Sequence, residues 1–454
     1  MGLGTGLGTF LPIIVYVACV AGTVASFLRP ELGLYLIALI LPLAHARSRL
    51  FDYPLGNHVL ELIILGMMVG CILTGKPLLP QVRFRRTLIL IIITSYISLW
   101  IGPVLNPIVP WPITMGDSPF GHWILFVRIP ILFLLTFSLI TTQRQMQILL
   151  LCLLVSFLWV GKSFRQNVGH RDTSAGFSDA LRRGGGLGFG GSNGMAAYQA
   201  QCLMIILGLW GADKRLWLRA ALVAAAAMGF YGVIFSYSRG AYVGLVAALL
   251  YLGLFKLRWI LPLLFLAAMS WQAILPKAVQ DRITMTYESD EGELESSAAS
   301  RLEVWEHALR VSTLDPLLGI GYDSYRYYRQ DEVLKDTHNV YLKVFVETGI
   351  VGLILLVSFW VRAFFAGQEL FRATQDPLLS GLGLGTALMM IVVLLVNMFG
   401  DRWTYFELGG MIAIILGMNM RGLAMVAESR QAAAAPLAAQ APVLPQPARA
   451  IPTH

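Results

Sequence analysis

The chain has 454 residues, of which 57% are hydrophobic and only 13% charged, and its mean hydropathy is +0.68. Soluble domains carry about 25% charged residues, so a water-soluble globular protein is excluded and the recurrent apolar runs indicate a polytopic membrane protein. The net charge of +8 is no nucleic-acid signature, because Lys and Arg fall mostly in loops, where they orient membrane helices.

The opening "MGLGTGLGTF" lacks the basic region of a signal peptide, so the first apolar stretch is predicted to stay in place. Apolar spans follow near 10–28, 31–46, 57–74, 86–104, 123–140, 146–162, 194–211, 217–236, 240–255, 259–275, 339–364, 379–400 and 408–423. That gives thirteen transmembrane helices, or twelve if the short 31–46 does not cross. The fold class is all-α, with one bundle over 1–424. Cys19, Cys71, Cys152 and Cys202 all lie inside apolar spans, so neither a disulfide nor a cysteine metal site is expected.

Short basic loops at 76–86, 213–219 and 256–258 belong on the cytoplasmic side, and 105–122, without Lys or Arg, belongs opposite. Counting crossings places the long loops 163–193 and 276–338 outside, and long loops cross largely regardless of charge. From Met425 the Ala/Pro/Gln-rich tail 425–454 cannot bury a core and is predicted to be a disordered cytoplasmic segment.

The loop 276–338 has internal structure. "DEGELESSAAS" (290–300) reads as an acidic strap, and "SRLEVWEHALRV" as a helix opened by a Ser300–Glu303 capping box. Leu302, Trp305 and Leu309 share one face, which would lay this helix on the bundle or the membrane surface.

Several polar residues converge on the outer side. Ser238 and Arg239 stand in "FSYSRGAYVGL" between two apolar spans, and Arg301 in the first turn of the loop helix. His338 and Asn339 open the segment "THNVYLKVFVETGIVGLILL". Arg128 lies about five residues inside an outer-starting span, about 8 Å deep. Each has a plain structural explanation: Arg239 can snorkel to headgroups, Arg301 can be solvated, and His338 can be an interfacial helix end. Arg128 is harder to set aside, since an arginine in hydrocarbon usually faces a cavity or a partner. Lys343 and Glu347 are spaced to pair along one helix and are assigned a structural role.

Arginine forks bind phosphate bidentately at any relevant pH, free amides at a helix start add to that, and a histidine can accept a hydroxyl proton. Together they suit displacement of a pyrophosphate by an alcohol at the membrane surface. No DxD, HExxH or CxxC cluster is placed to hold a metal, so no metal or other cofactor is expected; arginines would neutralise the charge.

"YSRGAYVGL", "SRLEVWEHALRVSTLDPLLGIG" and "THNVYLKVFVETGIVGLILL" resemble the three signature stretches of the O-antigen ligase and polymerase superfamily, in order and spacing. "GFGGSNGMAAYQ" resembles a weaker stretch in which an Asn, here Asn193, precedes a helix. The resemblance covers roughly residues 185–400, and the N-terminal third only by hydropathy. It implies a glycosyltransferase-C-like bundle in the bacterial inner membrane with a periplasmic active site. The implied reaction is metal-independent inverting transfer of a glycan from undecaprenyl pyrophosphate. The implied acceptor is the lipid A–core oligosaccharide, and no nucleic acid is involved. By the resemblance His338 is the essential histidine, and Arg239 and Arg301 are functional arginines; Arg128 has no family match and is assigned to the diphosphate on depth and charge alone. The acidic strap 288–295 has no counterpart in the family. The alternatives are O-antigen polymerase and protein O-oligosaccharyltransferase, which differ only in acceptor. A transporter is disfavoured, because neither an internal repeat nor a broken helix is apparent in the sequence.

Overall fold

The structure is a computed structural model that describes residues 5–285, 296–328 and 336–439, and side chains from 12 to 285, 301 to 328 and 336 to 433. The acidic strap and the side chain of Ser300 therefore lie outside the described residues. Among them there is no strand.

The helices in order are α1 (Thr5–Leu28), α2 (Pro30–Ile40), the single turn α3 (Ala44–Arg47), α4 (Val59–Leu73), α5 (Arg85–Leu105), α6 (Pro119–Leu139), α7 (Gln143–Val168) and α8 (Ser192–Ala212). They continue as α9 (Leu216–Ile234), α10 (Arg239–Phe255), α11 (Ile260–Ile274), α12 (Lys277–Thr284), α13 (Ser296–Ser312), α14 (Val340–Ala373), α15 (Pro377–Val396) and α16 (Phe406–Ala439). Every predicted apolar span falls on a helix. Among the described residues nine are long and apolar enough to cross a membrane, and up to eleven if each bent pair is one span. The short 31–46 span proves to be such a pair, bent by 103° between α2 and the turns after it. The chain is thus an all-α, multi-pass membrane protein.

α8, α15 and α16 are the most buried of the long apolar helices. Gly208 and Gly385 let α8 and α15 touch backbone to backbone: a Cβ on Gly208 would stand 2.3 Å from the Gly385 nitrogen. Without a hydrophobic drive between helices in lipid, such close packing is what holds them together. Outer helices show apolar side chains to the surroundings, as with Phe265 and Met269 of α11, 69% and 71% exposed. In water that would be an aggregation surface; in a bilayer it is the lipid-facing wall.

The predicted cytoplasmic loops gather at one end. Arg83 meets Glu369 at 2.5 Å, Lys256 stands over the Phe371 ring at 4.1 Å, and Trp210 packs on Trp259 at 6.1 Å. α16 runs on to Ala439, beyond the start of the predicted tail at Met425, because alanine is the best helix former and this segment is rich in it. Residues 440–454 lie outside the described residues.

α14 is broken, which the sequence reading did not anticipate. Gly349 has φ 66° and ψ −172°, and the loop 315–321 fills the break. Ile350 N–H donates to the Pro316 carbonyl at 3.0 Å, and Ile320 N–H donates to the Val346 carbonyl at 2.9 Å. The backbone groups freed by the break are thus satisfied by protein, as apolar surroundings require. A Cβ at position 349 would sit 2.1 Å from the Leu317 carbonyl oxygen. Gly349→Ala is therefore expected to destabilise the protein by about 3 kcal/mol or more. A thermal unfolding midpoint in detergent equal to wild type would contradict this account of the break.

Candidate active site

Five separate segments, four of them bearing an arginine, surround one cavity of about 300 Å³. The α9–α10 turn supplies Ser238 and Arg239, α13 supplies Arg301, and the start of α8 supplies Asn193. These are the residues the sequence singled out. Two more were missed: Arg282 of α12 and Arg402 of the α15–α16 loop. No Asp or Glu lies among the described lining residues.

Local structure explains each placement. Tyr237 takes a left-handed backbone (φ 56°) that turns the chain sharply between α9 and α10, so Arg239 opens α10 at the cavity. Its guanidinium donates to the Met285 carbonyl. α12 is bent by 116° from α11 and buries Ala278, Val279 and Arg282. Arg282 lies over the Phe177 ring at 4.8 Å and donates to the Tyr237 carbonyl at 3.4 Å, so it braces the turn that carries Arg239. Asn193 accepts a hydrogen bond from Arg182 at 2.7 Å. Burial and the nearby Arg282 push the Arg182 pKa down from its ordinary value, and burial does the same for Arg402. The Arg182 shift records positive charge crowded into little water, and the Arg402 shift its burial alone. Gly240 also lines the cavity, yet its missing side chain makes room for Phe399, whose ring would be 2.9 Å from a Cβ there. Its smallness serves packing.

α13 begins at Ser296, earlier than the predicted capping box, so Arg301 is past the first turn. Of the predicted apolar face, Trp305 packs on the protein and the two leucines do not. Val304 and Ala308 are fully buried against Ile320, Tyr325 and Val346, while Leu302 and Leu309 are exposed. The helix packs through its small side chains, which permit close approach to α14.

Trp305 is the link between α13 and the histidine. Its indole N–H donates to the Thr337 carbonyl at 2.9 Å. His338 then takes a left-handed conformation (φ 51°), uncommon outside glycine and held here by its neighbours on both sides. Asn339 is the N-cap of α14, its side chain accepting from Leu342 N–H at 3.2 Å. The polar pair thus divides its work: Asn339 starts the helix and His338 is turned away from it. The imidazole Nδ1 lies 3.7 Å from the Asp336 carboxylate. Burial lowers the His338 pKa; Asp336 opposes this, and Arg301 and Arg402 add to it. His338 is therefore in electrostatic reach of two arginines of the cavity.

Arg128 is not brought to that cavity. α6 begins at Pro119, so Arg128 is deeper in the helix than predicted, and it pairs with Glu61 and lies over the Phe406 ring at 4.5 Å. It lines a second, larger chamber of about 660 Å³. Lys343 pairs with Asp401 at 3.0 Å and not with Glu347; both Lys343 and Glu347 face the chamber. The helical spacing that suggested a Lys343–Glu347 pair gave way to a buried carboxylate from another loop.

Fold and cavity together define a class: a multi-pass membrane protein whose charged side chains collect in cavities at one end of a helical bundle. Residues 223–357 match the family model described as O-Antigen ligase, so the resemblance to that family holds over the stretch that carries Arg239, Arg282, Arg301 and His338. An exopolysaccharide production protein, ExoQ, of Rhizobium meliloti (strain 1021) is 28% identical over 215 residues. The matched part spans 42% of this chain and 47% of that protein, about half the length of the relative.

Proposed function

We propose that the protein transfers a glycan from a membrane-embedded undecaprenyl pyrophosphate to an acceptor hydroxyl at the periplasmic face of the inner membrane. The observation that carries this reading is the convergence of Arg239, Arg282, Arg301 and Arg402 on one cavity, two of them, Arg301 and Arg402, acting electrostatically on His338. The acceptor oxygen attacks the anomeric carbon as the bond from that carbon to the diphosphate oxygen breaks. His338 takes the hydroxyl proton, and the arginines hold the negative charge that develops on the leaving diphosphate. A single displacement inverts the anomeric centre.

The acceptor in this reading is the lipid A–core oligosaccharide, in keeping with the description of the matched family. The relative named for exopolysaccharide production favours a second reading, in which the acceptor is another lipid-linked glycan and the product is a longer polymer. A lipopolysaccharide gel of a deletion strain separates them. Loss of the ladder on the core with lipid-linked polymer retained supports ligation; core bearing a single repeat supports polymerisation.

Because charge neutralisation is assigned to guanidinium groups, transfer by the purified protein is expected to persist at its full rate in excess EDTA. Strict dependence on added Mg²⁺ or Mn²⁺ would overturn this part of the mechanism.

A further inference from the structure

The larger chamber has no part in the chemistry above, and its character is the reverse of the arginine cavity. Six carboxyl residues line it, Glu61, Asp323, Asp336, Glu347, Asp401 and Glu407, against four fixed cations, Arg47, Arg128, Arg326 and Lys343. Most are already engaged. Arg47 pairs with Glu407, Arg128 with Glu61, and Lys343 with Asp401, while His122 Nδ1 lies 2.6 Å from Asp323. Aromatic faces complete the wall, with Phe51 60% exposed and Tyr405 39% exposed. The volume falls in the range of about 300–1,000 Å³ usual for small-molecule sites.

Paired carboxylates and guanidinium groups offer acceptors and donors side by side. A sugar hydroxyl is both donor and acceptor, and the apolar face of a sugar ring can lie on an aromatic side chain. A phosphate or uronate would instead meet an excess of carboxylates at short range. The two cavities draw on neighbouring residues of the chain. The consecutive residues Asp401 and Arg402 divide between them, Asp401 to the chamber and Arg402 to the arginine cavity. Asp336 lines the chamber and lies 3.7 Å from His338, which in turn feels Arg301 and Arg402 of the other cavity.

We propose that this chamber is a saccharide subsite for the acceptor, selective for uncharged or amine-bearing sugars over phosphorylated or acidic ones. The proposal rests on the glycosyl-transfer reading for the word acceptor, whereas sugar binding in the chamber stands by itself. Opposite polarity then sorts the substrates: the diphosphate is drawn to the arginines and the acceptor sugar to the chamber, beside whose Asp336 His338 stands.

The test is direct binding to the full-length protein in lipid nanodiscs, read by native mass spectrometry with three probes: a neutral glucan tetrasaccharide, a chitosan tetramer and an oligogalacturonate tetramer. The first two are expected to bind about tenfold or more tighter than the third. Phe51→Ala, at an exposed side chain, is expected to weaken the neutral tetrasaccharide about threefold to tenfold. Asn57→Trp, which fills the chamber from its exposed rim, should weaken it further. Glu407→Gln should narrow the discrimination against the acidic tetramer. Equal or tighter binding of oligogalacturonate by wild type would overturn the proposal, as would unchanged neutral binding in folded Phe51→Ala and Asn57→Trp. A separate arm measures undecaprenyl pyrophosphate in Arg239→Ala. If its binding is unaffected there, the donor reading fails, while sugar binding in the chamber still stands or falls on the tetrasaccharide arms alone.

Discussion

Purified His338→Ala is expected to insert, fold and bind donor as wild type does, and to lose transfer by about 10²–10⁴-fold, the usual worth of general-base help. The side chain is 42% exposed and takes part in neither the Trp305–Thr337 hydrogen bond nor the Asn339 cap, so its removal leaves both intact. His338→Gln keeps a polar group at this position and separates orientation from proton transfer; it should be nearly as inactive as the alanine variant. The pH profile gives a second readout. A general base works as neutral imidazole, and burial together with Arg301 and Arg402 lowers its pKa from 6.5. Activity should therefore fall on acidification only below about pH 6.5, as protonation removes the base. An acid limb above that value, or a near wild-type rate for His338→Ala at saturating substrates, would remove His338 from the chemistry.

What could be read from the sequence depended on the range of the cause. Membrane spans are local facts of composition, and the thirteen predicted ones all became helices. Arg239 and His338 were visible because each interrupts or flanks an apolar run, where a charge needs a reason, and Arg301 because it stands at the start of a helical pattern within the long loop. Arg402 offered a signal that was not used: it sits in a short loop placed outside by the crossing count, where the positive-inside rule disfavours arginine. Arg282 offered none, since an arginine in a long polar loop looks like any other until α12 folds back on the Tyr237 turn. The errors share one origin. Arg128 was assigned by depth, and Lys343 and the α13 face by helical spacing, and in each case a partner distant in sequence decided otherwise: Glu61, Asp401 and the Ile320–Val346 surface. Gly349 is the same lesson in the backbone. Nothing within "VETGIVG" announces a break; the loop 315–321 makes one by offering carbonyls of its own.

Arg239→Ala is expected to lose transfer by about 10²–10³-fold, the scale of removing one preorganised donor from a developing negative charge. Arg239→Lys should recover only part of this. Lysine retains the charge but not the planar fork that can bind two phosphate oxygens at once. The plain explanation for an arginine at this position, snorkelling to lipid headgroups, makes the opposite forecast, because lysine snorkels equally well. The surroundings of Arg239 favour the first account. The side chain is half-buried, it faces the cavity shared with Arg282, Arg301 and Arg402, and one of its N–H groups is fixed on the Met285 carbonyl. That contact sets the direction of the fork before any ligand arrives, which lysine with its single rotatable ammonium cannot reproduce. Both variants should bind undecaprenyl pyrophosphate more weakly than wild type, alanine more so than lysine. Since four arginines share the load, their effects should not add: Arg239→Ala combined with Arg301→Ala is expected to lose less than the product of the two single losses. Full transfer and full affinity in Arg239→Lys would leave the guanidinium without a special role, and the diphosphate would have to be held by charge alone.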